Sequence, residues 1–382
     1  MTTLKRPFEQ YNIVQETIPG VHEEIKRFKS SRDEEYHNTI EHIPATQKGL
    51  VVTSFSEDLK LETNLPVPQK LQPYEILIKN KFIGLNHVDW KSKKYRFSIY
   101  SFPWVNGRES SGIVVKRGEK VDLKKFPLGC EVFIASTTYR DLRTSTFQEY
   151  TVFDSRLVWR VPEKVGLDFA SGIGVSLVTA GAALPLKNYS QVDSEKKQSI
   201  IIWGGSTAVG IFVVQLAKSL GFKTIIAITS KKHEKYLHSL GATHVIHREL
   251  TEDMIIKTVK KISPNGVAHG VDLISKKTAT VLSSVLLPES TLICAAGCPN
   301  QEDLKDKKII AEPINLKRFH EDLDYGQEFV RYTSELFEKN RLKPLSNLKL
   351  FKGFDNFCQG IRNGLRELEE RGASAEKYVV II

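Results

Sequence analysis

The rhythm of apolar and polar positions changes along the chain. Between Gln47 and Pro162, short runs rich in Val, Ile, Phe and Tyr ("QKGLVVTSF", "YEILIKNKFIGLN", "SGIVVKRG", "CEVFIAS", "FQEYTVF", "LVWRVP") are separated by turn residues. Such residues suit a pleated, half-buried surface, so the spacing predicts strands joined by turns. "GLDFASGIGVSLVTAGAALPL" then reads as helical. From Ser199 onward, strand-like runs ("SIIIW", "KTIIAIT", "THVIH", "GVDLI", "STLICAAG") alternate with helical ones ("VGIFVVQLAKSLG", "HEKYLHSLGA", "EDMIIKTVKKIS", "ATVLSSVLL"). Strand and helix in alternation imply a parallel, doubly wound sheet with helices on both faces. A helical stretch, "YGQEFVRYTSELFEKN", follows, and "GFDNFCQGIRNGLRELEERGASAEKYVVII" predicts a closing helix and strand.

The expected class is α/β, with a mostly β domain over 44–178, completed by 345–382, and a doubly wound parallel-sheet domain over 179–344. Residues 1–43 are polar and charged without a sustained apolar period, and are expected to form an extension before the first domain. The 382 residues suffice for two cores of ordinary size.

Composition narrows the class. Apolar residues at 41% and charged residues at 26% are globular values. The longest apolar runs fall short of the roughly 20 residues that span a bilayer, and the N-terminus lacks the apolar core of a secretory signal. Cys130, Cys294, Cys298 and Cys358 form no CxxC pair, so neither a disulfide framework nor a zinc ribbon is suggested. A soluble protein of a reducing compartment, the cytoplasm, is the expectation. The formal charge of +10 is spread along the chain and interleaved with acids, which fits an anionic small ligand better than nucleic acid.

One unit carries a candidate site. In "SIIIWGGSTAVGIFVVQLAKSLGFKTIIAITSKK" a strand, a small-residue turn, a helix and a second strand follow one another. Glycines in such a turn let the backbone approach a pyrophosphate, and the helix N-terminus offers unpaired amides. Gly204, Gly205, Ser206, Thr207, Ala208 and Gly210 are the residues in that place. The turn departs from strict GxGxxG, but its position between strand and helix supports a dinucleotide. At the end of the second strand an acid would favour a free ribose, whereas Ser230, Lys231 and Lys232 would welcome a 2′-phosphate. The expected cofactor is therefore NADPH, with Glu234 as the residue that argues the other way.

The order of motifs resembles the medium-chain dehydrogenase/reductase superfamily over about residues 45 to 382. "GLNHVDWK" stands where the family has Cys or Asn followed by Asp, and "PWVNGRESSGIVVKRG" is similar to its P-x-x-x-G-x-E-x-x-G. "FPLGCEVF" resembles G-D-x-V, "TFQEYTVF" F-A-E-Y, "SLVTAGAAL" the T-A motif, and "AEKYVVII" the G-K-x-V ending. "WGGSTAVG" and "STFQEY" look most like fungal quinone reductases and trans-acting enoyl reductases. The resemblance implies a GroES-like catalytic domain and a Rossmann nucleotide-binding domain.

Zinc-dependent members bind their catalytic metal through a Cys and the His of G-H-E. This sequence has Asn86 and Arg108 in those places, and a guanidinium has no lone pair to give a metal. The resemblance to the zinc-free branch implies no metal site and an NADPH-dependent reduction of an activated C=C bond or a quinone. It carries over Asn86 and Lys91 as catalytic candidates, Tyr95 more loosely, and Thr179 as a contact to the nicotinamide. "KSKKYR" also reads as a solvated loop. An aldehyde reductase in the same fold and a non-catalytic scaffold in membrane or protein trafficking are the alternatives. A homodimer through the nucleotide domain would suit the resemblance.

Overall fold

The computed structural model describes residues 43–138, 140–184, 199–352 and 357–382. The expected extension lies, but for its last residue, outside the described residues.

The first half folds into strands β1 (Thr46–Val52), β2 (Lys60–Pro66), β3 (Glu75–Gly84), β4 (Trp104–Val105), β5 (Glu109–Arg117), β6 (Glu131–Ala135), β7 (Tyr150–Asp154) and β8 (Trp159–Arg160). The second half supplies β9 (Ser199–Trp203), β10 (Thr224–Thr229), β11 (His244–His247), β12 (Val267–Asp272), β13 (Leu286–Cys294) and β14 (Ile310–Pro313). Two further strands, β15 (Asn347–Lys352) and β16 (Glu376–Ile381), end the chain. Helices used below are α1 (His87–Lys94), α2 (Gly174–Ala182), α3 (Ala208–Ser219), α4 (Glu234–Leu240), α5 (Glu252–Ile262), α6 (Lys276–Val285), α7 (Leu323–Glu338) and α8 (Phe357–Arg371).

A seven-stranded mixed sheet runs β15-β16-β3-β5-β6-β8, with β7 also paired to β3, and β1 forms a smaller sheet with β2 and β4. β16 pairs antiparallel with β3, so the C-terminus closes the sheet that the first half begins. The second large sheet is wholly parallel, in the order β11-β10-β9-β12-β13-β14. Numbered within the domain this is 3-2-1-4-5-6, the doubly wound order, whose direction reverses between β9 and β12. Parallel strands covered on both faces are continuously apolar, and all five residues of β9 are buried. By contrast β14 is an edge strand with mostly exposed residues, and no apolar run announces it.

Helix starts follow local chemistry. Thr207, Thr251 and Ser275 each accept a backbone N–H with their side chains at the N-caps of α3, α5 and α6. The segment "NHVDWKSKKYRF", which also reads as a loop, forms α1, where the Asp89 carboxylate accepts the Asn86 N–H at 2.7 Å.

The two halves are joined through Trp159. Its indole stacks on Phe133 at 5.2 Å and on Phe319 at 5.4 Å, and its N–H donates to Thr333 of α7 at 2.8 Å. Beside it, His320 Nε2 lies 3.2 Å from the Ala135 carbonyl and 3.2 Å from the Thr137 N–H.

Candidate active site

The turn between β9 and α3 sits where the strand order reverses, at the carboxyl ends of the strands. Gly204 holds φ +92, and a Cβ there would meet Ile274 Cδ1 at 2.9 Å. At Gly210 a Cβ would stand 2.2 Å from the Gly204 carbonyl oxygen. These positions therefore keep the turn tight and its amides accessible. Thr207 Oγ1 donates to the Gly204 carbonyl at 2.8 Å and accepts from Gly210 N–H at 2.9 Å, so this hydroxyl is committed to the cap. Ser206 Oγ accepts from Thr229 Oγ1 at 2.6 Å, which ties the turn to the end of β10. Ala208 opens the helix and is half-buried.

Beyond Thr229, Ser230 is buried while Lys231 and Lys232 are exposed. Arg248, which sequence reasoning missed, follows β11 and donates its backbone N–H to the Thr229 carbonyl at 2.8 Å. The parallel register pairs Thr229 with His247, so the residue after each strand falls at one corner. The acids of this corner have partners of their own. Glu234 opens α4 and lies 3.1 Å from His247 Nε2, and Glu249 contacts Arg248 at 3.5 Å. The Glu249 carboxyl is held below its ordinary value, mainly by a backbone hydrogen bond and also by Ser230 and Arg248.

A buried polar cluster surrounds Asn86. Asn86 Nδ2 donates to Glu109 Oε1 at 2.9 Å, and Asn86 Oδ1 accepts from Lys377 Nζ at 2.7 Å. Lys377 and Glu109 form an ion pair at 2.6 Å with side chains only 6% and 0% exposed. Glu109 Oε2 also accepts the Val175 N–H at 2.7 Å, fixing the start of α2. Burial pushes the Asp89 carboxyl up to about 7, against the opposing pull of Arg108. His87 is exposed at the surface of α1 but crowded by its neighbours. Desolvation, with the charges of Lys91 and Lys377, lowers its imidazole to about 4, so it is neutral at pH 7.

The remaining sequence candidates are placed less centrally. Lys91 is half-buried, with its ammonium 5.5 Å from the Trp90 ring. Tyr95 caps the C-terminal end of α1 and is 60% exposed, its ring 6.2 Å from Trp90. Thr179 is buried in α2 and donates its hydroxyl to the Val175 carbonyl at 2.6 Å. Asp272 ends β12, accepting the N–H groups of Ile274 and Ser275 at 2.9 Å each.

Comparison with known proteins matches both halves in order. The alcohol dehydrogenase GroES-like domain family matches residues 72–163, and the zinc-binding dehydrogenase family matches residues 208–330. The chain belongs to the medium-chain dehydrogenase/reductase superfamily. Within that superfamily it is 25% identical over 365 residues to trans-enoyl reductase RAP1 of Pyricularia oryzae, covering 88% of this chain and 98% of that protein. The uncharacterized protein YNL134C of Saccharomyces cerevisiae is 29% identical over 255 residues, covering 61% of this chain and 66% of that protein. A quinone oxidoreductase of Pseudomonas syringae has the same fold, with a TM-score of 0.69 at 19% identity over 88% of this chain and 100% of that one.

The superfamily's two halves are here the mixed GroES-like sheet and the parallel nucleotide-binding sheet. Two residues of the site escaped sequence reasoning. Arg248 had a signal, since it directly follows the third strand-like run, "THVIH". Lys377 had none beyond the ending motif, because 291 residues separate it from Asn86.

Proposed function

We propose that this chain is a zinc-independent, NADPH-dependent reductase of activated C=C bonds or quinones. The trans-enoyl reductase relative supports a reductase, and the observation that carries the finer reading is the cluster around Asn86. A metal site needs lone pairs, but here Lys377 Nζ stands 2.7 Å from the Asn86 amide oxygen and 2.6 Å from Glu109. The oxygens that could serve a dication are already engaged, Asn86 Oδ1 by Lys377 and the Glu109 carboxylate by Lys377, Asn86 Nδ2 and the Val175 N–H, and a metal there would stand against the Lys377 ammonium. The donor set does not fit zinc.

The nucleotide turn fits a dinucleotide. Gly204, Gly205, Ser206, Ala208 and Gly210 bring backbone to the pyrophosphate, while Thr207 holds the helix start in shape. Ser230, Lys231 and Lys232, joined by Arg248, favour the 2′-phosphate, to which Glu249 would yield its Ser230 and Arg248 contacts. Thr179, on α2, faces the nicotinamide end. When bound, NADPH supplies the hydride. The protein's part is to hold the acceptor's conjugated oxygen near Asn86 and to provide a proton, with Lys91 and Tyr95 as donors at the open side. The 44–178 and 345–382 segments form the catalytic domain in this reading, and 179–344 the nucleotide domain.

The test is NADPH oxidation with cyclohexenone, crotonyl thioester, para-benzoquinone and butanal, each with and without a zinc chelator. Consumption with the first three, unchanged by chelator, is expected. Turnover of butanal alone, or activity abolished by chelator, would overturn the reading.

A further inference from the structure

The residues that lead into the last strand and begin it run along the whole candidate site. Ser374 Oγ lies 2.8 Å from His233 Nε2, beside the Lys231–Lys232 corner. Ala375 donates its N–H to the Ser206 carbonyl at 3.0 Å. Lys377 then reaches Asn86 and Glu109. Four residues thus touch the basic corner, the nucleotide turn and the buried cluster in turn. Ala375 holds φ +57 while 2% exposed, a conformation that a residue with a Cβ adopts only when its surroundings impose it. The stem of Lys377 is equally confined, since a Cβ on Gly172 would stand 2.5 Å from its Cγ.

The chemistry of the three partners fixes more than position. An asparagine amide has one acceptor end and one donor end, a lysine ammonium only donates, and a carboxylate only accepts. Lys377 can meet Asn86 Oδ1 but not its NH2 group, and Glu109 can meet the NH2 group but not Oδ1. Turning the amide over would set donor against donor and acceptor against acceptor in a buried space, which is costly. One Nδ2 hydrogen goes to Glu109 at 2.9 Å, which leaves the second as the hydrogen-bond donor this side chain has to offer.

We propose that Lys377 is a positioning residue that, with Glu109, locks the Asn86 amide so that its second N–H meets the oxygen of the substrate. This rests on the reductase reading above. Asn86 is the residue that touches substrate, and Lys377 acts through it. The attachment of Ala375 to the nucleotide turn sets the register of Lys377 from the cofactor side.

The experiment is steady-state kinetics of the full chain with NADPH and cyclohexenone, comparing wild type with Lys377→Met. A displaced transition-state donor costs roughly a hundredfold in kcat, so a drop of tenfold or more is expected, with KM for NADPH within about twofold of wild type. If Lys377→Met does not fold, Lys377→Met/Glu109→Gln removes both halves of the ion pair and leaves no uncompensated buried charge. Its Tm is expected near wild type while kcat remains low, a split that a purely structural role would not produce. Wild-type kcat in either folded variant would overturn the role of Lys377 alone. A wild type that binds NADPH but turns over neither enone nor quinone would overturn the reductase reading and this role with it.

Discussion

Gly210→Ala separates the nucleotide cradle from the general stability of the domain. Gly210 is the third residue of α3, where alanine would improve helix propensity by about 1 kcal/mol. Against that gain, its Cβ would stand 2.2 Å from the Gly204 carbonyl oxygen and 2.9 Å from Gly205 Cα. Both are backbone atoms of the turn, so no rotamer change relieves the contact. Overpacking of this kind costs about 1–3 kcal/mol, which leaves a net loss of about 1 kcal/mol in stability. Binding suffers more, because the relief must come from moving the turn that would hold the pyrophosphate. Misplacing one charge-assisted hydrogen bond costs about 1.5–3 kcal/mol, or roughly tenfold to a hundredfold in affinity. The control is Gly221→Ala. Gly221 holds φ +86, and a Cβ there would meet nothing within 4 Å, so its cost of about 1 kcal/mol is conformational and distant from the turn. Urea unfolding and calorimetric titration with NADPH should show similar stability losses and an affinity loss in Gly210→Ala alone. Equal affinities in wild type and Gly210→Ala, or equal losses in the two variants, would refute the cradle.

Charge reversal at Lys232 and Arg248 together should weaken NADPH binding roughly a hundredfold and leave NADH unaffected, since only the 2′-phosphate loses charge-assisted contacts; parallel titrations check this. His320 gives a pH signature. Burial lowers its imidazole to about 4, whereas in the unfolded chain it titrates near its ordinary 6.5. Between these values the unfolded chain binds the extra proton, so this residue's contribution is present at pH 7 and is lost as pH falls towards 4. His320→Gln should therefore show a flatter decline than wild type in urea unfolding between neutral and acid pH, by roughly 3 kcal/mol at full effect. Trp159→Ala should cost about 3–5 kcal/mol by chemical denaturation, because it removes two ring stacks and the bond to Thr333. Trp159→Phe should cost clearly less.

Much of the architecture was legible because burial imposes period and composition. The continuous apolar run of β9 and the capped start of α3 are both written in consecutive residues, as are the turn glycines between them. Short, exposed elements were not legible. β14 offers no apolar face, and β15 pairs in parallel with β16 at a sheet edge, so neither stands out as a run. The candidate site divides in the same way. The turn and the basic corner follow from local sequence, whereas the environment of Asn86 depends on β5 and β16 arriving from distant parts of the chain. Tyr95 shows the same limit from the other side: near Asn86 in sequence, it stands at the far end of α1 and is exposed. Helical geometry sets what nine residues of separation mean, and no spacing argument made without α1 could supply it.

The most direct test of the account is calorimetric titration of the full chain with NADPH and NADH side by side. Micromolar NADPH binding with far weaker NADH binding is the predicted result. Equal affinity for the two would contradict the role of the Ser230–Lys232 and Arg248 corner, and binding of neither would contradict the nucleotide site itself.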